Sequence, residues 1–240
     1  MTNADNHEAR VILALDYADG ASALALVNKL SSRDCRLKVG LELYTAAGNE
    51  FIRELVVRGF DVFLDLKFHD IPNTVAGTCS VVAGLGVWMI NVHTLGGARM
   101  MAAARDAIDD CSHQPLLIGV TVLTSHGGEE LHRIGIDSDP ATAVSRLASM
   151  AQQAGLDGVV CSPQEVSRLR NELGADFKLV TPGVRPQGSH ANDQKRTMTP
   201  EQAMAQGSDY LVIGRPITQA VDPVAALNKI NQSLSGQFQA

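Results

Sequence analysis

The 240-residue chain is 45% hydrophobic, 19% charged and 4% aromatic, which supplies a full apolar core and excludes a largely disordered polymer. Its formal net charge of −6, with no basic run of five or more residues, offers no field that would hold a polyanion and argues against nucleic acid as a partner. No apolar run approaches the ~18 residues of a membrane span.

Residues 1–9 are polar, lack the pattern of a secretory signal and read as a flexible N-terminal tail. Eight short apolar runs then recur with helical segments between them: Val11 to Leu15, Arg36 to Val39, Val62 to Leu66, Val87 to Val92, Leu116 to Val122, Gly158 to Cys161, Lys178 to Thr181 and Tyr210 to Ile213. Runs apolar on both faces suit buried parallel strands, and regular alternation with helices calls for right-handed crossovers. Eight such units predict a single-domain (β/α)8 TIM barrel spanning the chain. Between the strands, Asp139-Pro140 opens a helix with an apolar stripe at Val144, Leu147, Ala148, Ala151 and Ala154, and Gly155 stops it. Ser162-Pro163-Gln164-Glu165 and Thr199-Pro200-Glu201-Gln202 read as capping boxes, and Asp222-Pro223 opens the last helix. The polar stretch from Gly183 to Met198 is long for a barrel loop and reads as a lid or binding loop. Cys35, Cys79, Cys111 and Cys161 lack CxxC spacing, so neither a disulfide framework nor a zinc site is expected, and a reducing cytoplasm is the natural location.

Barrel chemistry sits at the C-terminal strand ends, and here those ends are unusually charged. In Asp65-Leu66-Lys67 the two charges share one face of a strand while Leu64 and Leu66 face away. Asp16 ends the first strand, Lys38 lies near the end of the second, Asn91 and His93 on the fourth, Thr121 and Thr124 follow the fifth, Pro182 the seventh, and Gly214-Arg215 the eighth. Two acids and two lysines on three adjacent strands form either a structural ion-pair network or a site. His93 reads as an orienting or hydrogen-bonded residue, His126 and His132 as solvated. Gly214-Arg215 stands where barrels often bind phosphate, with Arg185 and Gln194 available on the long loop. Acids interleaved with lysines suit a hard cation poorly, so no metal is expected.

Asp65-x-Lys67-x-x-Asp70-Ile71-Pro72-Asn73-Thr74 resembles the motif of the orotidine 5′-phosphate decarboxylase family, and the likeness extends through Leu13 to Asp16, Cys35 to Gly40, Asn91 to His93, Val120 to Ser125, Thr181 to Gln187 and Val212 to Pro216. The resemblance implies cofactor-free conversion of orotidine 5′-phosphate to UMP in pyrimidine synthesis. It implies that Asp16 and Lys38 hold the ribose hydroxyls, that Lys38, Asp65, Lys67 and Asp70 form a charge array, and that Asp65 faces the substrate carboxylate while Lys67 protonates C6. It further implies a homodimer in which Asp70, Ile71 and Thr74 enter the neighbouring site. Thr124 would contact the base, Pro182 would wall the apolar side, Gln194 would bridge base and phosphate, and Arg215, with Gly214 and Arg185, would take the phosphate.

Three rivals stand beside this reading. A sister family of sugar-phosphate decarboxylases and epimerases shares the Asp-x-Lys-x-x-Asp stretch but holds Mg²⁺ partly by a carboxylate on strand two, where this chain has Lys38. A Schiff-base lyase would need a neutral Lys67, which Asp65 and Asp70 on either side disfavour. An inactive phosphate-binding barrel would have no need of intact Asp65, Lys67 and Asp70.

Overall fold

The computed structural model describes residues 9–186 and 198–235. Eight parallel strands close on themselves in chain order: β1 (Val11–Leu15), β2 (Arg36–Gly40), β3 (Val62–Phe68), β4 (Met89–His93), β5 (Leu116–Val120), β6 (Gly158–Val160), β7 (Lys178–Pro182) and β8 (Tyr210–Ile213), with β8 paired to β1. This is the (β/α)8 barrel expected from the alternation of apolar runs. Two ends shift. Val87 and Trp88 precede β4, and β5 stops at Val120, where the buried Thr121 hydroxyl turns to donate to the Val160 carbonyl.

Strand parity sorts the residues by depth, because alternate side chains face the barrel axis. At the N-terminal end the Arg36 guanidinium lies 4.5 Å from the Trp88 ring centroid and 5.0 Å from that of Tyr210, and its Nε pairs with Asp61 at 3.1 Å. A desolvated cation packed on two rings that themselves meet edge to face, with centroids 5.0 Å apart, and with a carboxylate partner, closes the barrel floor. Above it Ile12, Phe63, Met89, Ile118 and Val180 form an apolar layer inside the barrel. The opposite strand faces pack against the helices in a larger cluster that includes Leu13, Leu37, Leu64, Ile90 and Leu211.

The α-helices of the described residues are α1 (Gly20–Val27), α2 (Leu41–Val57), α3 (Pro72–Ala83), α4 (Ala98–Asp109), α5 (Gly128–Arg133), α6 (Pro140–Gln153), α7 (Val166–Leu173), α8 (Pro200–Ala205), α9 (Arg215–Thr218) and α10 (Pro223–Ser235), and several of them begin at a capping side chain. Asp139 accepts from the Thr142 N–H at 3.0 Å at the start of α6 (Pro140–Gln153), and Gly155 takes φ +80° just past its end. Thr199 and Gln202 complete a reciprocal capping box at α8 (Pro200–Ala205), and Asp222 caps α10 (Pro223–Ser235). The Ser162 box is only half made. Glu165 reaches back to the Ser162 N–H at 2.8 Å, but the buried Ser162 hydroxyl accepts from Gln164 instead of Glu165, so a turn intervenes and α7 (Val166–Leu173) starts later. The two ends of the long loop are tied together: Val184 bridges Met198, and the Arg185 N–H donates to the Met198 carbonyl at 2.9 Å. Gln194 lies outside the described residues, as does the expected tail up to residue 8; the Ala9 carbonyl accepts from Arg36. The four cysteines are unpaired, and burial pushes the Cys35 and Cys79 thiols up to about 12. No helix among the described residues is long and apolar enough to cross a membrane.

Candidate active site

The C-terminal mouth of the barrel opens into a cavity of about 280 Å³, close to the lower end of the ~300–1,000 Å³ of small-molecule sites. Nine of the residues expected from the sequence line it: Asp16, Lys38, Asp65, Lys67, Thr124, Pro182, Arg185, Gly214 and Arg215. The acids and lysines alternate in space as well as in sequence. Lys38 Nζ lies 3.5 Å from Asp16 Oδ1 and 3.3 Å from Asp65 Oδ2, and Lys67 Nζ lies 2.6 Å from Asp65 Oδ1. Asp65 thus has a separate ammonium on each oxygen. Burial works against its ionisation, but Lys38, Lys67 and a hydrogen bond from Asn91 together outweigh it and hold the carboxyl below the usual range.

Local structure makes this arrangement by departing from a regular strand. β3 slips register against β4 between Leu64 and Phe68, and Lys67 within the slip takes φ +53°. Leu64 is buried in the helix-side core and Leu66 packs against it, while Asp65 and Lys67 both face the cavity, as strand alternation predicts. Room for the charges comes from glycine. A Cβ on Gly40 would lie 3.3 Å from Lys38 Nζ, and one on Gly214 would lie 3.3 Å from Asp16 Oδ2 and from Ala14 Cβ.

Asp70, Ile71 and Thr74 stand apart from this cavity. They are exposed at the start of α3 (Pro72–Ala83), where Asp70 Oδ1 accepts from the Ile71 N–H and Ile71 is 68% exposed. Sequence reasoning noted Asn91 at a strand end but gave it no task; it is fully buried and bonded to both Asp65 and Lys67. His93 stacks on His69 with ring centroids 5.3 Å apart, and its Nδ1 accepts from the Leu95 N–H. Among the described residues no three His, Cys, Asp or Glu side chains gather as a metal site.

A parallel barrel whose mouth sets paired acids and lysines on one side of a small cavity and two arginines on its rim belongs to the class of barrel enzymes that act on small anionic substrates. Within that class the kinship is specific. Residues 9–230 match the orotidine 5′-phosphate decarboxylase / HUMPS family, and the chain belongs to it. It is 60% identical over 228 residues to the orotidine 5′-phosphate decarboxylase of Salmonella typhi, covering 95% of this chain and 93% of that one. It is also 60% identical over 227 residues to that of Laribacter hongkongensis, with the same shares covered. The crystal structure of orotidine 5′-phosphate decarboxylase from Lactobacillus acidophilus superposes with a TM-score of 0.84 at 39% identity, covering 94% of this chain and 99% of that one.

Burial, then the neighbouring His69, Lys67 and His126, push the His93 imidazole down to about 4. An unfolded histidine titrates near 6.5, so between about pH 6.5 and 4 the unfolded chain binds the proton that the folded one refuses. Stability from this position is therefore full above about pH 6.5 and lost as pH falls through the window. His93→Gln should flatten the decline of Tm from pH 6.5 to about 4.5; a slope equal to wild type would contradict the assignment.

Proposed function

We propose that this chain removes CO₂ from orotidine 5′-phosphate to give UMP, in the cytoplasm and without a cofactor. The observation that carries the reading is the buried Asp65 carboxylate clamped between the Lys38 and Lys67 ammoniums at the cavity wall, in a chain of this family. The substrate's phosphate would meet Arg215, at the start of α9 (Arg215–Thr218) with Gly214 as its N-cap, and Arg185, which follows the adjacent strand β7 and lines the same cavity. Asp16 and Lys38 would take the ribose hydroxyls, Thr124 the base, and Pro182 the apolar flank.

Chemistry then follows from charge. With the phosphate anchored at the arginines and the ribose at Asp16 and Lys38, the carboxylate on C6 is forced toward Asp65. Two like charges ~4 Å apart repel by roughly 4 kcal/mol at an effective dielectric near 20, and the repulsion vanishes as CO₂ leaves. The C6–carboxyl bond breaks with its electron pair left on C6. Lys67, already an ion-pair partner of Asp65, lies beside that carbanion, stabilises it, and transfers one proton from Nζ to C6; solvent restores the proton to the amine.

The exposure of Asp70, Ile71 and Thr74 supports a homodimer in which these residues complete the partner's cavity. Within one chain Asp70 is not among the groups on Lys67, and an exposed isoleucine beside an exposed carboxylate at a helix start suits an intersubunit surface. The array would then read Lys38, Asp65, Lys67 and Asp70, the last from the neighbouring subunit. Lys38 on β2 also weighs against the metal-dependent sugar-phosphate reading, because its ammonium occupies Asp65 Oδ2 and contacts Asp16.

Loss of orotidine 5′-phosphate absorbance on adding the purified protein in excess chelator tests the activity. Rapid conversion is expected in wild type, with at least about a thousandfold loss in Lys67→Ala and UMP binding retained. Full activity in that variant, or activity that needs Mg²⁺, would overturn the reading. Mixing inactive Asp70→Ala with inactive Lys67→Ala should restore part of the activity, since hybrid dimers hold one intact site; no recovery after demonstrated subunit exchange would exclude the shared site.

A further inference from the structure

Neither Asp65 nor Lys67 fixes its own position. Lys67 is the one non-glycine residue with positive φ among the described residues, a backbone state that costs an L-residue about 1–3 kcal/mol and persists only where neighbours over-determine it. The register slip also removes this segment from regular pairing with β4. What replaces the lost ladder is a single side chain. Asn91, midway along β4 and fully buried, accepts from the Lys67 backbone N–H through Oδ1 at 2.7 Å and donates through Nδ2 to Asp65 Oδ1 at 2.7 Å. Lys67 Nζ meets that same carboxylate oxygen at 2.6 Å. A flipped amide would set donor against donor and acceptor against acceptor, so one orientation alone makes both bonds.

We infer that Asn91 is a positioning residue for the decarboxylation proposed above: its amide holds the Lys67 backbone in the left-handed conformation and turns the Asp65 carboxylate so that its two oxygens meet two different ammoniums. The inference rests on that functional reading. Asn91 does not line the cavity, so its contribution reaches the substrate only through Asp65 and Lys67. A leucine or valine of similar size would fill the space but leave a buried N–H and one side of a buried carboxylate without partners. The charged groups facing Asn91 are Asp65 and Lys67 on β3 and, through Asp65, Lys38 on β2.

Asn91→Ala and the near-isosteric Asn91→Asp test this against wild type with orotidine 5′-phosphate as substrate and UMP as the binding probe. In Asn91→Ala, kcat should fall at least about thirtyfold while UMP affinity stays within about threefold, because the phosphate and ribose contacts are untouched. In Asn91→Asp a second carboxylate beside Asp65 disrupts the site when ionised, whereas the protonated form can donate to Asp65 and accept from Lys67 as the amide does. Its kcat relative to wild type should therefore recover as pH falls from about 8 to about 5.5. A kcat for Asn91→Ala within threefold of wild type, parallel losses of kcat and UMP affinity, or an Asn91→Asp pH profile parallel to wild type would overturn the inference. Should Asn91→Ala fail to fold, the pH profile of Asn91→Asp decides alone. Wild-type protein inactive on the nucleotide yet binding UMP would instead refute the functional reading.

Discussion

The molecule is arranged around one buried carboxylate. Asp65 is tolerable in the wall of an apolar barrel because an ammonium stands on each of its oxygens and the Asn91 amide adds a third contact. Loss of either ammonium would leave the charge poorly compensated in a place where that is expensive. The three partners come from β2, β3 and β4, so the carboxylate depends on the pairing of these adjacent strands, on the slip in β3, and on the absence of a side chain at Gly40, where a Cβ would press the Lys38 ammonium.

Depth along the barrel axis separates stability from chemistry. At the floor, Arg36 packed on Trp88 and Tyr210 closes the N-terminal end with a satisfied cation. Ile12, Phe63, Met89, Ile118 and Val180 form a dry middle. At the mouth, the same inward-facing parity delivers Asp16, Lys38 and Asp65. The strands that place two layers of ordinary packing thus carry a third layer of charge, and the low-polarity layer below it strengthens every electrostatic contact above.

Much of this was legible in the sequence, for identifiable reasons. Parallel strands buried on both faces read as short apolar runs, and eight of them with capped helices between leave few alternatives to a barrel. Charges break such runs only at a price in solvation, so Asp65 and Lys67 announced the site. What could not be read was anything set by cross-strand geometry. The slip in β3 and the left-handed Lys67 depend on where Asn91 falls on β4, and a lone asparagine in an apolar run does not say which backbone group it will hold. Local capping chemistry was legible at Asp139 and Thr199, yet at Ser162 the same residue types made a turn first, because the hydroxyl was taken by Gln164. Alternation predicted that Asp65 and Lys67 face together; it carried no information on Asp70, whose exposure follows from the turn into α3.

The most direct test is the affinity of the site for a nucleotide with and without a carboxylate on C6 of its base, compared between wild type and Asp65→Asn. If Asp65 repels that group, the substitution should tighten binding of the carboxylated nucleotide by about tenfold or more, since Lys38 and Lys67 lose their internal counter-ion and the ligand can take its place, while UMP affinity changes little and turnover collapses. Unchanged or weaker binding of the carboxylated nucleotide in Asp65→Asn would contradict the account.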